Sequence, residues 1–124
     1  MDTRAIQHFK AHDGLTYSIN YSMDGKKAAT TSYDGRVFIW DAVDWTRLNK
    51  LMHTQWVYAT SWHPTDSSIL TCGGNGVSLW NLQTGTLEKR ANLLNMRSVA
   101  WFPNGERFVC GDEDGILFVY ACLK

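Results

Sequence analysis

The chain repeats itself at a nearly fixed interval, and few globular architectures tolerate that. The run from His12 to Trp40 recurs as His53 to Trp80 and again as Asn92 to Tyr120. A step of 80 positions carries Tyr21, Gly25, Thr30, Asp34, Gly35 and Trp40 onto Trp101, Gly105, Cys110, Asp114, Gly115 and Tyr120 with no gap. A step of 41 carries Tyr21, Thr30, Asp34 and Gly35 onto Trp62, Thr71, Asn75 and Gly76, after which one residue is lost before Trp80. A single deletion at a turn is the kind of change that loops absorb. Modules of this length cannot bury an apolar face alone and stay dry only by stacking on one another.

Within a unit the strong segments are short, β-branched and aromatic, and separated by turn residues, which is the chemistry of strands. In the second unit they run roughly over Thr46–Met52, Val57–Trp62, Ile69–Cys72 and Val77–Trp80. Met23-Asp24-Gly25-Lys26, Pro64-Thr65-Asp66-Ser67 and Pro103-Asn104-Gly105-Glu106 fill one turn slot. Asp34-Gly35, Asn75-Gly76 and Asp114-Gly115 fill a second. Asx-Gly pairs supply the positive φ that a tight hairpin needs. No stretch of helical periodicity interrupts this pattern, so the expected fold is all-β.

Composition bounds the function. In 124 residues, 44% are hydrophobic, with six Trp, five Tyr and five Phe, which is ample material for a core. Twelve basic residues balance twelve acidic ones, and no basic face offers itself to nucleic acid. The apolar runs fall short of a membrane span, and Met1 to Lys10 is polar and mixed in charge, so neither membrane nor secretion is expected. Cys72, Cys110 and Cys122 are odd in number and lack a Cys-x-x-Cys spacing, which suits a reduced, intracellular protein, cytoplasmic or nuclear.

A His near the start of a unit, an aromatic-Pro-Asx-Gly turn, a small hydroxyl residue four before an Asp, and a closing Trp-Asp together resemble the WD repeat. The first unit carries His12, Met23-Asp24-Gly25, Thr30, Asp34 and Trp40-Asp41, and the resemblance covers about residues 3–121. It implies a single domain, 1–124, of three four-stranded β-propeller blades, with units near 3–41, 45–81 and 85–121. It also implies a buried structural hydrogen-bond chain through His12, Thr30, Asp34 and Trp40. Imidazole donates from one nitrogen and accepts at the other, so it can join a carboxylate to a hydroxyl that also receives the indole N–H. The second unit keeps His53, Thr71 and Trp80 but has Asn75 for Asp, which weakens the charge-assisted link. The third has Asn92, Cys110 and Tyr120 beside Asp114 and is expected to rely on packing. Ser61-Trp62-His63-Pro64 and Ser98-Val99-Ala100-Trp101-Phe102-Pro103-Asn104-Gly105 are similar to the WD-repeat subunit of the CTLH-type ubiquitin ligase, which implies a place in such a complex.

Enzyme chemistry finds little support. His12, Asp34 and a hydroxyl imitate a nucleophilic triad, yet the Thr is a strand residue and no oxyanion loop accompanies it. His8, His12, His53 and His63 lack metal-ligand spacing. Cys72-Gly73-Gly74-Asn75-Gly76 has no Lys-Ser/Thr ending, and Asp112-Glu113-Asp114-Gly115 lacks the further ligands calcium requires. No cofactor and no metal are expected.

What remains is a surface. The resemblance implies partner contacts on the narrow face, at the third and fifth residues after the His and the residue before the turn Asp. These are Leu15, Tyr17 and Tyr33, then Trp56, Tyr58 and Gly74, then Asn95, Arg97 and Glu113. Tyr, Trp and Arg carry binding energy when a partner buries them, and Trp56 and Tyr58 lead the set. The expected function is a non-enzymatic scaffold for a protein or peptide partner. The alternative is assembly. Strand-like Arg4 to Lys10 precedes the first His, while the third unit has no outer strand, so two blade faces and one strand edge stay open. Self-association would cover them, two copies giving six blades and three giving nine. So would partner blades, or a longer propeller of which this sequence is a piece.

Overall fold

The computed structural model describes residues 3–122, which form strands and connections only. The strands are β1 (Thr16–Tyr21), β2 (Lys27–Ser32), β3 (Arg36–Asp41), β4 (Arg47–Met52), β5 (Val57–Trp62), β6 (Ser68–Gly73), β7 (Gly76–Asn81), β8 (Thr86–Ala91), β9 (Met96–Trp101), β10 (Arg107–Asp112) and β11 (Leu117–Ala121). They pair into three antiparallel sheets in the orders β1-β2-β3-β4, β5-β6-β7-β8 and β9-β10-β11. The fold is all-β, as the strand and turn signals require, and the three antiparallel sheets have the blade-like form that the repeat resemblance implies. They do not close into a ring.

Local chemistry sets the hairpins. Gly25 and Gly105 hold φ of 71° and 72°, and Asp24 and Asn104 close their turns by accepting from the backbone N–H of Lys26 and Glu106. The middle turn has no glycine. There His63 Nδ1 accepts from the N–H of Thr65 and Asp66 at 3.1 and 2.9 Å, which makes His63 a turn cap.

Each sheet has two faces, set by the two-residue period of its strands. The leading face meets the preceding sheet and the trailing face meets the following one. The trailing face of the first sheet (Ala29, Val37, Ile39, Leu51) packs on the leading face of the second (Trp62, Ile69, Trp80), with Val57 and Leu82 in the same core. The trailing face of the second (Leu70, Cys72, Val77) packs on the leading face of the third (Phe108, Cys110), with Met96 between them. Every one of these side chains is at most 9% exposed, and each large one contributes about 1.5–3 kcal/mol by burial. Polar contacts pin the stack at its edges. Asn20 Nδ2 donates to the Thr60 carbonyl and Trp62 Nε1 to the Asn20 carbonyl, each at 3.0 Å, while the Trp101 N–H donates to Ser61 Oγ at 2.9 Å.

Two features depart from the sequence expectations. The strand expected to open the second unit begins at Arg47 and pairs with β3, so it completes the first sheet rather than starting the second. The third sheet has three strands, which agrees with the expectation that the third unit has no outer strand. Arg4 to Lys10 forms no strand. It pairs with no strand among the described residues, and a strand without a ladder leaves its backbone groups unpaired. Instead Phe9 lies on the leading face of the first sheet, with ring centroids 5.4 Å from Trp40 and 6.3 Å from Trp45.

Candidate interaction surface

The end of the stack that carries the β2–β3, β6–β7 and β10–β11 turns, with the β4–β5 and β8–β9 links, gathers the polar side chains. In the first sheet His12 Nδ1 lies 3.1 Å from Asp34 Oδ2, and its Nε2 lies 2.8 Å from Thr30 Oγ1. Trp40 Nε1 donates to the same hydroxyl at 2.9 Å. Burial works to raise the Asp34 carboxyl, but backbone N–H donation from Arg36 and Asp13, together with His12, outweighs it and holds the group below its ordinary range. The arrangement is a bridge between strands. The Thr30 oxygen is occupied by both neighbours, so it is no nucleophile.

The second sheet keeps half of this bridge. His53 Nε2 lies 2.8 Å from Thr71 Oγ1, and Trp80 Nε1 donates to that oxygen at 3.0 Å. Asn75 turns to Thr54 instead, and His53 Nδ1 has no side-chain partner, only a weak influence from the Leu51 and Gly35 carbonyls. Burial drives the His53 pKa down to about 4. The third sheet has another construction: Phe108 stacks on Tyr120 at 5.3 Å, and the Cys110 thiol faces the Phe118 carbonyl. Among the described residues no group of three His, Cys, Asp or Glu could hold a metal ion.

The residues chosen by their offset from the His position lie together at this end. Tyr17, Tyr58 and Arg97, one from each unit, form a ladder across all three sheets. The rings of Tyr17 and Tyr58 are 4.9 Å apart, and the Arg97 guanidinium sits 4.2 Å above Tyr58 while pairing with Glu113 at 3.7 Å. Tyr33 stacks parallel to Trp56 at 6.2 Å. Gly74 is buried beneath that indole, and a Cβ there would strike Trp56 and Gln55. Asn95 holds a φ of 57° in the β8–β9 link.

Exposure reorders the set. Trp56 and Tyr58 are half-buried by these stacks, whereas Leu15 (68%), Tyr33 (59%) and Tyr17 (38%) offer more surface. Leu94 and Ile116, exposed by 77% and 50%, extend the apolar surface at the same end. Fixed offsets passed over both. Their signal in the sequence is an apolar side chain set within polar turn residues. Carboxylates at this end are matched by arginines: Asp13 pairs with Arg36 at 3.3 Å and Glu113 with Arg97 at 3.7 Å.

Comparison with known proteins now decides the family. The WD domain, G-beta repeat family matches residues 3–41, 45–81 and 86–120. The chain belongs to the WD-repeat family. WD-repeat domains are typically non-catalytic and generally act as protein-interaction scaffolds. The WD repeat-containing protein WDS homolog of Arabidopsis thaliana is 34% identical over 122 residues, covering 90% of this chain and 23% of its own length. The Intraflagellar transport protein 122 homolog of Mus musculus is 23% identical over 118 residues, covering 95% of this chain and 10% of its own. Actin-interacting protein 1 of Drosophila melanogaster is 31% identical over 80 residues, 61% of this chain and 13% of its own. This WD-repeat chain thus spans less than a quarter of the length of the curated relatives it matches. These relatives are WD-repeat proteins of various kinds, so the chain's resemblance is established for WD-repeat proteins as a class.

Proposed function

We propose that the chain is a non-enzymatic, intracellular interaction scaffold that receives a protein or peptide partner on the end bearing Leu15, Tyr17, Tyr33, Trp56 and Tyr58. The observation that carries this reading is the apolar surface of Leu15, Tyr17 and Tyr33, held in place by stacking partners beneath it. Aromatic side chains already fixed in position lose little conformational freedom when a partner covers them. Membership of a ubiquitin-ligase complex is the finer form of this proposal, supported by the wording of Ser61–Pro64 and Ser98–Gly105.

A photo-crosslinking residue placed at Tyr33 tests it against the same residue at Met23, which is 73% exposed in the β1–β2 turn at the opposite end. Adducts from position 33 that vanish when Tyr17 and Trp56 are replaced by Ala support the reading. The same adducts from both positions would sink it. A second reading, assembly, is favoured by one observation: the leading face of the first sheet and the trailing face of the third are not covered by any described sheet.

A further inference from the structure

We propose that the outer side of the first sheet carries a second contact site, a groove that takes an acidic segment of a partner protein, rich in Asp or Glu. The site is separate from the surface around Tyr17 and Tyr33, and it stands whether or not that surface binds.

The groove holds ≈ 290 Å³ between residues 10–13 and strands β3 and β4. Its charge is uneven. Lys10, Arg36, Arg47 and Lys50 line it together with Asp13 and Asp34, in a chain whose twelve basic and twelve acidic residues balance. Both carboxylates already have partners: an Arg36 guanidinium nitrogen lies 3.3 Å from Asp13 and 3.8 Å from Asp34, and Asp34 also meets His12. Among the described residues Lys10, Arg47 and Lys50 pair with no carboxylate. These three cations line one groove with no counter-charge of their own.

Packing positions the cations in advance. The Arg47 guanidinium sits 4.8 Å over the Phe38 ring, which also stacks with His12 at 4.7 Å. An arginine laid on a ring keeps the edge of its planar fork free for a carboxylate. Arg47 and Lys50 share one face of β4, because a bulge between them shifts the register against β3. They stand about 10 Å apart along the strand, at roughly 3.3 Å per residue, so two acidic side chains of one extended segment meet them in turn. The opening does not depend on a sheet being absent from this side. Leu87 and Arg90 hold the places of Arg47 and Lys50 in the second sheet, which the first sheet covers, and both are exposed there. The site is too short to track the successive phosphates of a nucleic acid, whereas a few carboxylates match it.

Fluorescence anisotropy of fluorescein-labelled hexaglutamate with the whole chain tests the site, with a Gly-Ser peptide of the same length as the blank. The expected result is saturable binding that weakens as salt rises. Arg47→Glu with Lys50→Glu reverses two side chains exposed on an outer strand, so this variant keeps the far-ultraviolet spectrum of the parent. It should bind hexaglutamate more weakly by roughly tenfold or more. Lys26→Glu with Arg107→Glu, equally exposed and outside the groove, changes the net charge by the same amount and should stay within about twofold of the parent. Should the reversal in the groove disturb the spectrum, Arg47→Gln with Lys50→Gln takes its place with the same outcome expected. Parent binding no stronger than the blank overturns the proposal, as does equal weakening in both charge-reversed variants or weakening in neither. Tighter binding of hexauridylate or of a triphosphoserine peptide, each of similar charge, overturns the choice of an acidic segment as occupant.

Discussion

His53 is the residue on which the second sheet's polar chemistry turns. Its Nδ1 is buried with no side-chain acceptor, since Asn75 bonds Thr54, and only the Leu51 and Gly35 carbonyls act on the ring, whereas the same nitrogen of His12 meets Asp34. Burial lowers its pKa to about 4 from an ordinary 6.5, with the Arg90 charge acting in the same direction. The unfolded chain therefore binds more protons between those two values. Stability is full above pH 6.5 and falls as the pH drops toward 4, by on the order of 3 kcal/mol. Asp34, held below its ordinary value, adds a loss that begins only in more acidic solution. Urea unfolding at a series of pH values should show the first slope in the parent and a flatter one in Asn75→Asp, whose carboxylate gives His53 an acceptor and raises its pKa. Parallel slopes in the two proteins would refute this account of the site.

At the scale of the element, turns decide more than strands do. Gly25 and Gly35 both hold positive φ, 71° and 82°, but Gly25 faces open space, while a Cβ at Gly35 would lie 2.8 Å from the His53 carbonyl oxygen. Gly25→Ala should cost roughly 1 kcal/mol from backbone strain, and Gly35→Ala clearly more, because the β4–β5 link must also move. Thermal melts of the two variants check the order. Trp45 shows the same constraint from the other side: with a φ of 61° it occupies the hairpin position where Gly85 stands in the second sheet. The strands and their Asx-Gly turns were legible because both signals are local, an alternation of side chains and a residue type that tolerates positive φ. Arg4 to Lys10 has a strand-like composition and yet forms no strand, because a strand exists only where another lies beside it. Of the candidate surface, the fixed offsets located Tyr17, Tyr58 and Arg97. That these three form a ladder, and that stacking hides much of Trp56 and Tyr58, depends on contacts between sheets that no single unit encodes.

On the scale of the whole molecule, protection should follow coverage. The second sheet is packed on both faces, whereas the first and third are each packed on one by a neighbouring sheet. Amide hydrogen exchange should be slowest in β6 and β7 and faster in β10 and β11, since backbone groups open most readily where few apolar contacts must be broken. Slower exchange in β10 than in β6 would contradict this. The pairing of β4 with β3 has a consequence of its own. The text that recurs in the sequence and the block that packs are cut at different places, since the residues that open the second copy are the last strand of the first sheet. A scissile bond at Ala42, where one copy of the text ends, would strip that sheet of its outer strand; one at Thr54 would pass between intact sheets. Anyone dividing this molecule for expression should follow the sheets and not the spelling.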